Sequence, residues 1–239
     1  MFWIPPRKRD QYDPVFANNT WAKIIKACQN KEVPETWTVG SQKAMTINGT
    51  DYPIDIIGKN HDAYTVIGDI KAPLTFQMHD CYEDTGAMNS TATNVNSWPD
   101  CAMRETTMSN ILSLMPAEVQ YAIRRVSKWT AGAKEDGSTY VFPSQDSLFL
   151  LSEYEIFGKI TYSPYSGNED SAAGWEGPQY AYYKEGGSKI KTKNGNESYW
   201  WERSVRDDST TKFCAVTDVG RAAVGHANVA YGIAFAFCF

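Results

Sequence analysis

Hydrophobic positions along this chain change period several times, and each change marks an element. Trp21, Ile24, Ile25 and Cys28 recur at i, i+3, i+4 and i+7, the spacing of one buried helix face. Asn19-Thr20 can cap that helix, and Pro34 stops it. Residues 44–47 and 52–57 then flank Asn48-Gly49, a pair that favours a type I′ hairpin turn, and 73–78 reads as a strand joining them. Residues 84–101 are rich in Asn, Ser, Thr and Gly and read as a loop. The main helical region spans 104–129: Met108, Ile111, Leu112 and Met115 form one apolar face, and Pro116 opens a second helix carrying Val119, Ile123 and Val126. A mixed loop is expected over 130–143, a buried strand over 148–151, and a long, ordered but irregular stretch over 163–197. Trp200-Trp201 begins another strand. At the end, Ile233, Phe235, Phe237 and Phe239 alternate with Ala234, Ala236 and Cys238, a period of two that predicts a strand with one bulky and one closely packed face.

Composition agrees with an α+β class. The 239 residues include 8 Trp, 14 Tyr and 10 Phe while Leu is scarce, which favours short strands and ordered loops over helical bundles. A net charge of −5 argues against a sequence-blind nucleic-acid binder, which needs a basic surface to displace counterions. No apolar run approaches the ~20 residues that span a bilayer, so membrane insertion is not expected. The first residues are not a signal peptide, because the basic cluster Arg7-Lys8-Arg9 follows only a few apolar residues. The expectation is a protein that stays where it is made or leaves through virion assembly and lysis. Residues 1–18 read as an extended arm and 19–239 as the main domain. Phe2, Trp3 and Ile4 in the arm suggest packing against a partner chain, in a homo-oligomer or with other virion proteins. Five widely spaced cysteines without a CxxC pair read as reduced, buried thiols.

Motifs of catalysis are missing from the sequence. It contains no Gly-rich phosphate loop, HExxH, Gly-x-Ser-x-Gly or EF-hand loop, so neither an enzyme, a metal nor a cofactor is expected. His79-Asp80-Cys81 is an adjacency rather than a geometry. Glu153 and Glu155 fall on one face of an expected strand; they could bracket a glycosidic bond, but a solvated strand edge or a structural hydrogen-bond acceptor fits them better.

The segment 205–239 has an unusual composition. Lys, Glu, Gln, Met and Trp account for 50 of the 239 residues, so about seven are expected there in proportion, yet Lys212 is the one found. Those five are the amino acids that an NNC codon cannot encode. Burial of the terminal strand explains missing charges, but Arg206, Asp207, Asp208, Arg221 and His226 occupy the same stretch.

Several phrases also carry a resemblance. They include His61-Asp62, Lys71-Ala72, Val126-Ser127-Lys128, the run from Leu148 to Gly158, Gln179-Tyr180 and Trp200-Trp201-Glu202-Arg203-Ser204. In this order they resemble an uncharacterised domain family of phage and prophage structural proteins and gut-bacterial surface proteins, over roughly residues 19–239. That family looks C-type-lectin-like, and some members are variable proteins of diversity-generating retroelements. The block Gly232-Ile233-Ala234-Phe235 departs from the Gly-Val-Arg-Pro-like block of many members. The resemblance implies a C-type-lectin-like fold with short strands, two or three helices and long loops. It implies a receptor-binding or adhesion protein of a phage or prophage, located in the virion or on the bacterial surface, with a bacterial surface protein or glycan as ligand. The alternative is a structural virion component (tail, neck or head decoration) without ligand recognition. The expected ligand-binding segment is 205–231, with Val205, Arg206, Asp207, Asp208, Ser209, Thr210, Arg221, Ala222, Val224, His226, Asn228 and Tyr231 as its contacts.

Overall fold

A computed structural model describes residues 12–64, 69–133, 139–164 and 176–239. It is a mixed α and β structure of short helices and small sheets. The first helix, α1 (Trp21–Gln29), is capped by Thr20, whose side chain accepts a hydrogen bond from the Lys23 amide. It buries Trp21, Ile24, Ile25 and Cys28 as the spacing predicts. It ends at Gln29, before Pro34, and the chain turns off it at Lys31, where φ is +56° and the Lys31 amide donates to the Cys28 carbonyl. The hairpin follows as β1 (Gln42–Ile47) and β2 (Thr50–Lys59), with positive φ at both Asn48 and Gly49, the backbone a type I′ turn requires.

Strand β3 (Leu74–Met78) pairs with β2, and a short β4 (Thr85–Gly86) follows in the Asn/Ser-rich region. A π-helical turn (Met103–Thr107) leads into α2 (Met108–Leu114), and α3 (Ala117–Ala122) begins after Pro116. Here the structure departs from the periodicity. Val126 does not extend a helix; it opens β5 (Val126–Ala133), which pairs along its length with β6 (Thr139–Asp146) where a loop was expected. The reason is an inverted pattern. Lys128, Thr130, Ser144 and Asp146 point inward and are buried, while Trp129 is 43% exposed.

Residues 148–151 are buried as expected but make only an isolated bridge, Phe149 to Ala236, instead of a strand. Glu153 and Glu155 lie on a short helix, α4 (Glu153–Phe157), not on a strand: Ser152 and Glu155 form a capping box, and Gly158 closes the helix at φ +66°. Beyond it come α5 (Ala181–Lys184) and a hairpin of β7 (Lys191–Lys193) and β8 (Asn196–Ser198) turning on Asn194-Gly195. This part is more regular than expected, and that second Asn-Gly pair was its signal.

The remaining strands are β9 (Trp200–Val205), β10 (Lys212–Val216), β11 (Ala222–His226), β12 (Tyr231–Gly232) and β13 (Ala236–Cys238). One sheet has the order β1-β2-β3-β13 and the other β11-β10-β9-β12-β4. The alternating segment 233–239 thus forms a strand at Ala236–Cys238 alone, and the two residues before it, Tyr231–Gly232, pair in the other sheet. Between them the Ile233 carbonyl accepts from Tyr82 and the Phe235 carbonyl from Met78. Residues 233–239 are all nearly inaccessible to solvent, so both faces of the alternation are core. Phe237 stacks on Phe76 at 5.2 Å, and Trp21 and Phe239 close the cluster. Tyr12 and Phe16 pack into the same core, so the boundary read at residue 18 falls inside the packed body. The arm residues Phe2, Trp3 and Ile4 lie outside the described residues.

Candidate functional site

Strand β9 is buried at every position, and the chain becomes accessible as soon as it leaves that strand. The loop 206–211 is held from below by backbone bonds: the Arg206 amide donates to the Lys212 carbonyl and the Asp207 amide to Tyr162. Asn94, fully buried, acts as its clamp. Its side-chain amide donates to the Ser209 and Lys212 carbonyls, both at 2.7 Å, and its backbone amide to Thr210 at 2.8 Å. The second loop, 227–230, is tied to the first by the Ala227 amide on the Thr211 carbonyl and braced by Asn89 on Ala227. The two loops therefore share one end of the five-stranded sheet. Asp207, Asp208, Thr210, His226, Asn228 and Val229 are exposed there, and Arg206 donates to Asp208 at 3.0 Å across the loop surface.

The structure brings together part of the expected contact set. Arg206, Asp207, Asp208, Ser209, Thr210, His226 and Asn228 lie at this loop end. Arg221 is exposed but sits in the turn at the opposite end of the β10–β11 hairpin, where its amide bonds the Thr217 hydroxyl. Four strand steps separate the two ends, about 14 Å. Ala222 and Val224 are half-buried on edge strand β11. Tyr231 is half-buried: it packs on Trp201 at 4.5 Å and lies across Gly225, where a Cβ would fall 2.6 Å from its ring. Val205 is a correction. It is 1% exposed, the last residue of buried β9, and faces Phe213, so its side chain cannot meet a ligand.

Beneath this surface lies a network of charges that hydrophobic periodicity did not reveal. Lys128 Nζ sits 2.5 Å from Asp62, 2.8 Å from Glu155 and 3.0 Å from the Tyr180 hydroxyl. Arg203 bonds the other oxygen of Glu155 and donates to the Thr130 hydroxyl and to the Leu150 and Glu176 carbonyls. Ser204 donates to Glu176 and accepts from the Glu153 amide, and Glu153 accepts from Tyr162 and Ser163. Every member of the Lys128, Asp62, Glu155 and Arg203 chain is at most 4% exposed. These are polar residues of the phrases that stood out in the sequence: His61-Asp62, Val126-Ser127-Lys128, Leu148 to Gly158, Gln179-Tyr180 and Trp200 to Ser204. Joining β5, α4 and β9, the network fixes the strand from which the exposed loop departs.

Opposite charges hold the network ionised against the cost of burial. Burial opposes charge on Asp62, but Lys128 outweighs it and holds the carboxyl well below its usual range. Burial likewise opposes charge on Glu155 and Lys128; Arg203 and Lys128 keep Glu155 low, while Asp62 and Glu155 keep Lys128 raised. A shallow cleft of about 220 Å³ touches this network, lined by His61, Asp62, Lys128, Trp129 and Glu155 among others. Ligand atoms of His61, Asp62 and Glu155 lie within 4.8 Å of one another, but the Lys128 ammonium already bridges both carboxylates and supplies the cation there. His61 stacks on Tyr180 at 3.9 Å, and burial lowers its pKa. Elsewhere, His79 bonds Asp55 at 2.7 Å, which raises its pKa, while burial pushes the neighbouring Cys81 thiol up to about 11. All five cysteines are free and buried.

Fold and site define an α+β protein in which a buried ionic network braces a small sheet with accessible polar loops at one end. The chain belongs to the family described as domain of unknown function DUF6273, whose model matches residues 74–239. No curated protein and no solved structure matches the chain.

Proposed function

We propose that this protein is a ligand-binding module, with 206–211 and 226–230 as its recognition surface. The observation that carries this reading is the sharp change from a wholly buried β9 to polar loops whose backbones are clamped while their side chains face solvent. Side chains on such loops change with little effect on stability, about ±0.5 kcal/mol each, and binding residues concentrate on loops held by a rigid scaffold. The depleted composition of 205–239 fits a diversified segment. Short strands, small sheets and a final strand in the core are compatible with a C-type-lectin-like scaffold. On this reading the protein serves a phage or prophage as a receptor-binding or adhesion protein, and its ligand is a protein or glycan exposed on a bacterial surface.

The test uses an array of bacterial cell-wall glycans together with intact bacterial cells. The wild-type protein should bind a subset, and the variant R206A/D208A/H226A/N228A should lose that binding while its melting temperature stays within a few degrees. Equal binding by the two proteins would place recognition elsewhere.

A further inference from the structure

A second concave surface lies on the β1-β2-β3-β13 side of the molecule, away from these loops. It is a groove of about 600 Å³ between the end of α1, Tyr64, residues 70–73 and residues 123–125. Its floor is apolar: Cys28 and Phe239 are buried, and Tyr64, Ile70, Pro73 and Ile123 complete it. Its rim carries four exposed cations, Lys31, Lys71, Arg124 and Arg125. Among the described residues no acidic side chain lines the groove and none of the four cations forms an ion pair. A carboxylate on Phe239 would offset one of them at most. Four uncompensated cations around an apolar floor stand out in a chain of net charge −5.

We propose that this groove binds a small amphiphilic anion, a single carboxylate or phosphate head on an apolar body. Three features select that class. The volume lies within the range of small-molecule sites, about 300–1,000 Å³. The net charge of −5 disfavours an extended polyanion, which would be repelled by the molecule as a whole. The floor offers the head group little competition: burial pushes the Cys28 thiol and the Tyr64 hydroxyl up to about 12, so both stay neutral, and Tyr64 already donates to the Phe239 carbonyl at 2.9 Å. The head group is left to the cations, with Arg124 and Arg125 able to grip a carboxylate or phosphate through two parallel N–H donors. The alkyl stems of the lysines extend the apolar wall.

Calorimetric titration below the micellar range tests this on the whole protein. Decanoate and decyl phosphate are the probes and separate the two head groups; inorganic phosphate and decyltrimethylammonium are the controls. One of the anionic amphiphiles should bind saturably at one per chain, at least about tenfold tighter than either control, which is about 1.4 kcal/mol. Lys71→Glu with Arg124→Glu should weaken it at least about tenfold, and because both side chains are exposed the melting temperature should not move. If that variant fails to fold, Lys71→Gln with Arg124→Gln should weaken binding in the same direction. Unsaturable uptake, equal binding of the cationic amphiphile, or affinity indifferent to both variants would overturn the proposal.

Discussion

Lys128 shows how much of this protein depends on residues whose role is not hydrophobic. It is 3% exposed and satisfies two carboxylates. Removing one partner of a buried pair leaves the other charges uncompensated, typically at a cost of about 3–5 kcal/mol. Lys128→Met should therefore lower stability by that amount in chemical denaturation, and a loss below about 1 kcal/mol would contradict the strut assignment. Glu202 is the opposite case. Its two carboxyl oxygens are buried without a hydrogen-bond partner, and burial, together with Glu153 and Glu176, raises its pKa well above the usual value. The folded state thus holds a proton that the unfolded chain releases near pH ~4.3. The stability linked to that proton is fully present below the unfolded pKa and is lost as pH rises through the folded one. Burial also raises Glu176, to about 6, which adds a similar loss between about pH 4.5 and 6. Glu202→Gln removes the Glu202 contribution, so the melting-temperature difference between variant and wild type should grow in the variant's favour from pH 4 to 8. A difference that stays constant over that range would show that Glu202 holds no such proton.

At the scale of elements, legibility followed periodicity. Helix α1, the β1–β2 hairpin and β3 were readable because Trp21, Ile24 and Ile25 repeat at helical spacing and because Asn48-Gly49 fixes its own turn. The β5–β6 hairpin was not, since its inward positions are Lys128, Thr130, Ser144 and Asp146 and its outward ones include Trp129. A pattern built on burying apolar residues reads such a strand inside out. Glu155 was misplaced on a strand because the box it forms with Ser152 opens a helix of five residues, too short to repeat a hydrophobic period. In the candidate site, the loop end was legible from composition, but composition carries no direction. It could not tell that Val205 still points into the core or that Arg221 lies at the far end of a hairpin. Asn94, invisible as part of a polar loop, is the residue that holds 209–212 in place. Asn94→Ala removes two of its three bonds to the loop and leaves the one made by its backbone, so hydrogen exchange at 209–212 should accelerate by at least about tenfold, roughly 1–2 kcal/mol for two bonds, while exchange in β9 should not change. Unchanged exchange at 209–212 would remove Asn94 from the account.

Across the whole molecule, the terminal segment joins the two sheets, and all five thiols lie in the interior. With burial raising Cys28, Cys101 and Cys214 above ordinary thiol values, alkylation of the native protein without reductant should be slow, and all five should react together on unfolding. A cysteine that reacts at the rate of a free thiol in the native state would contradict that packing. The larger claim is a division of labour between a braced interior and loops free to vary, and display of two libraries on a cell surface tests it most directly. One library randomises 206–210 and 226–230; the other randomises 200–205. Most members of the loop library should display as folded protein, and selection on it should yield binders to new targets, while the strand library should lose folded display almost entirely. Collapse of the loop library to the level of the strand library would contradict the account.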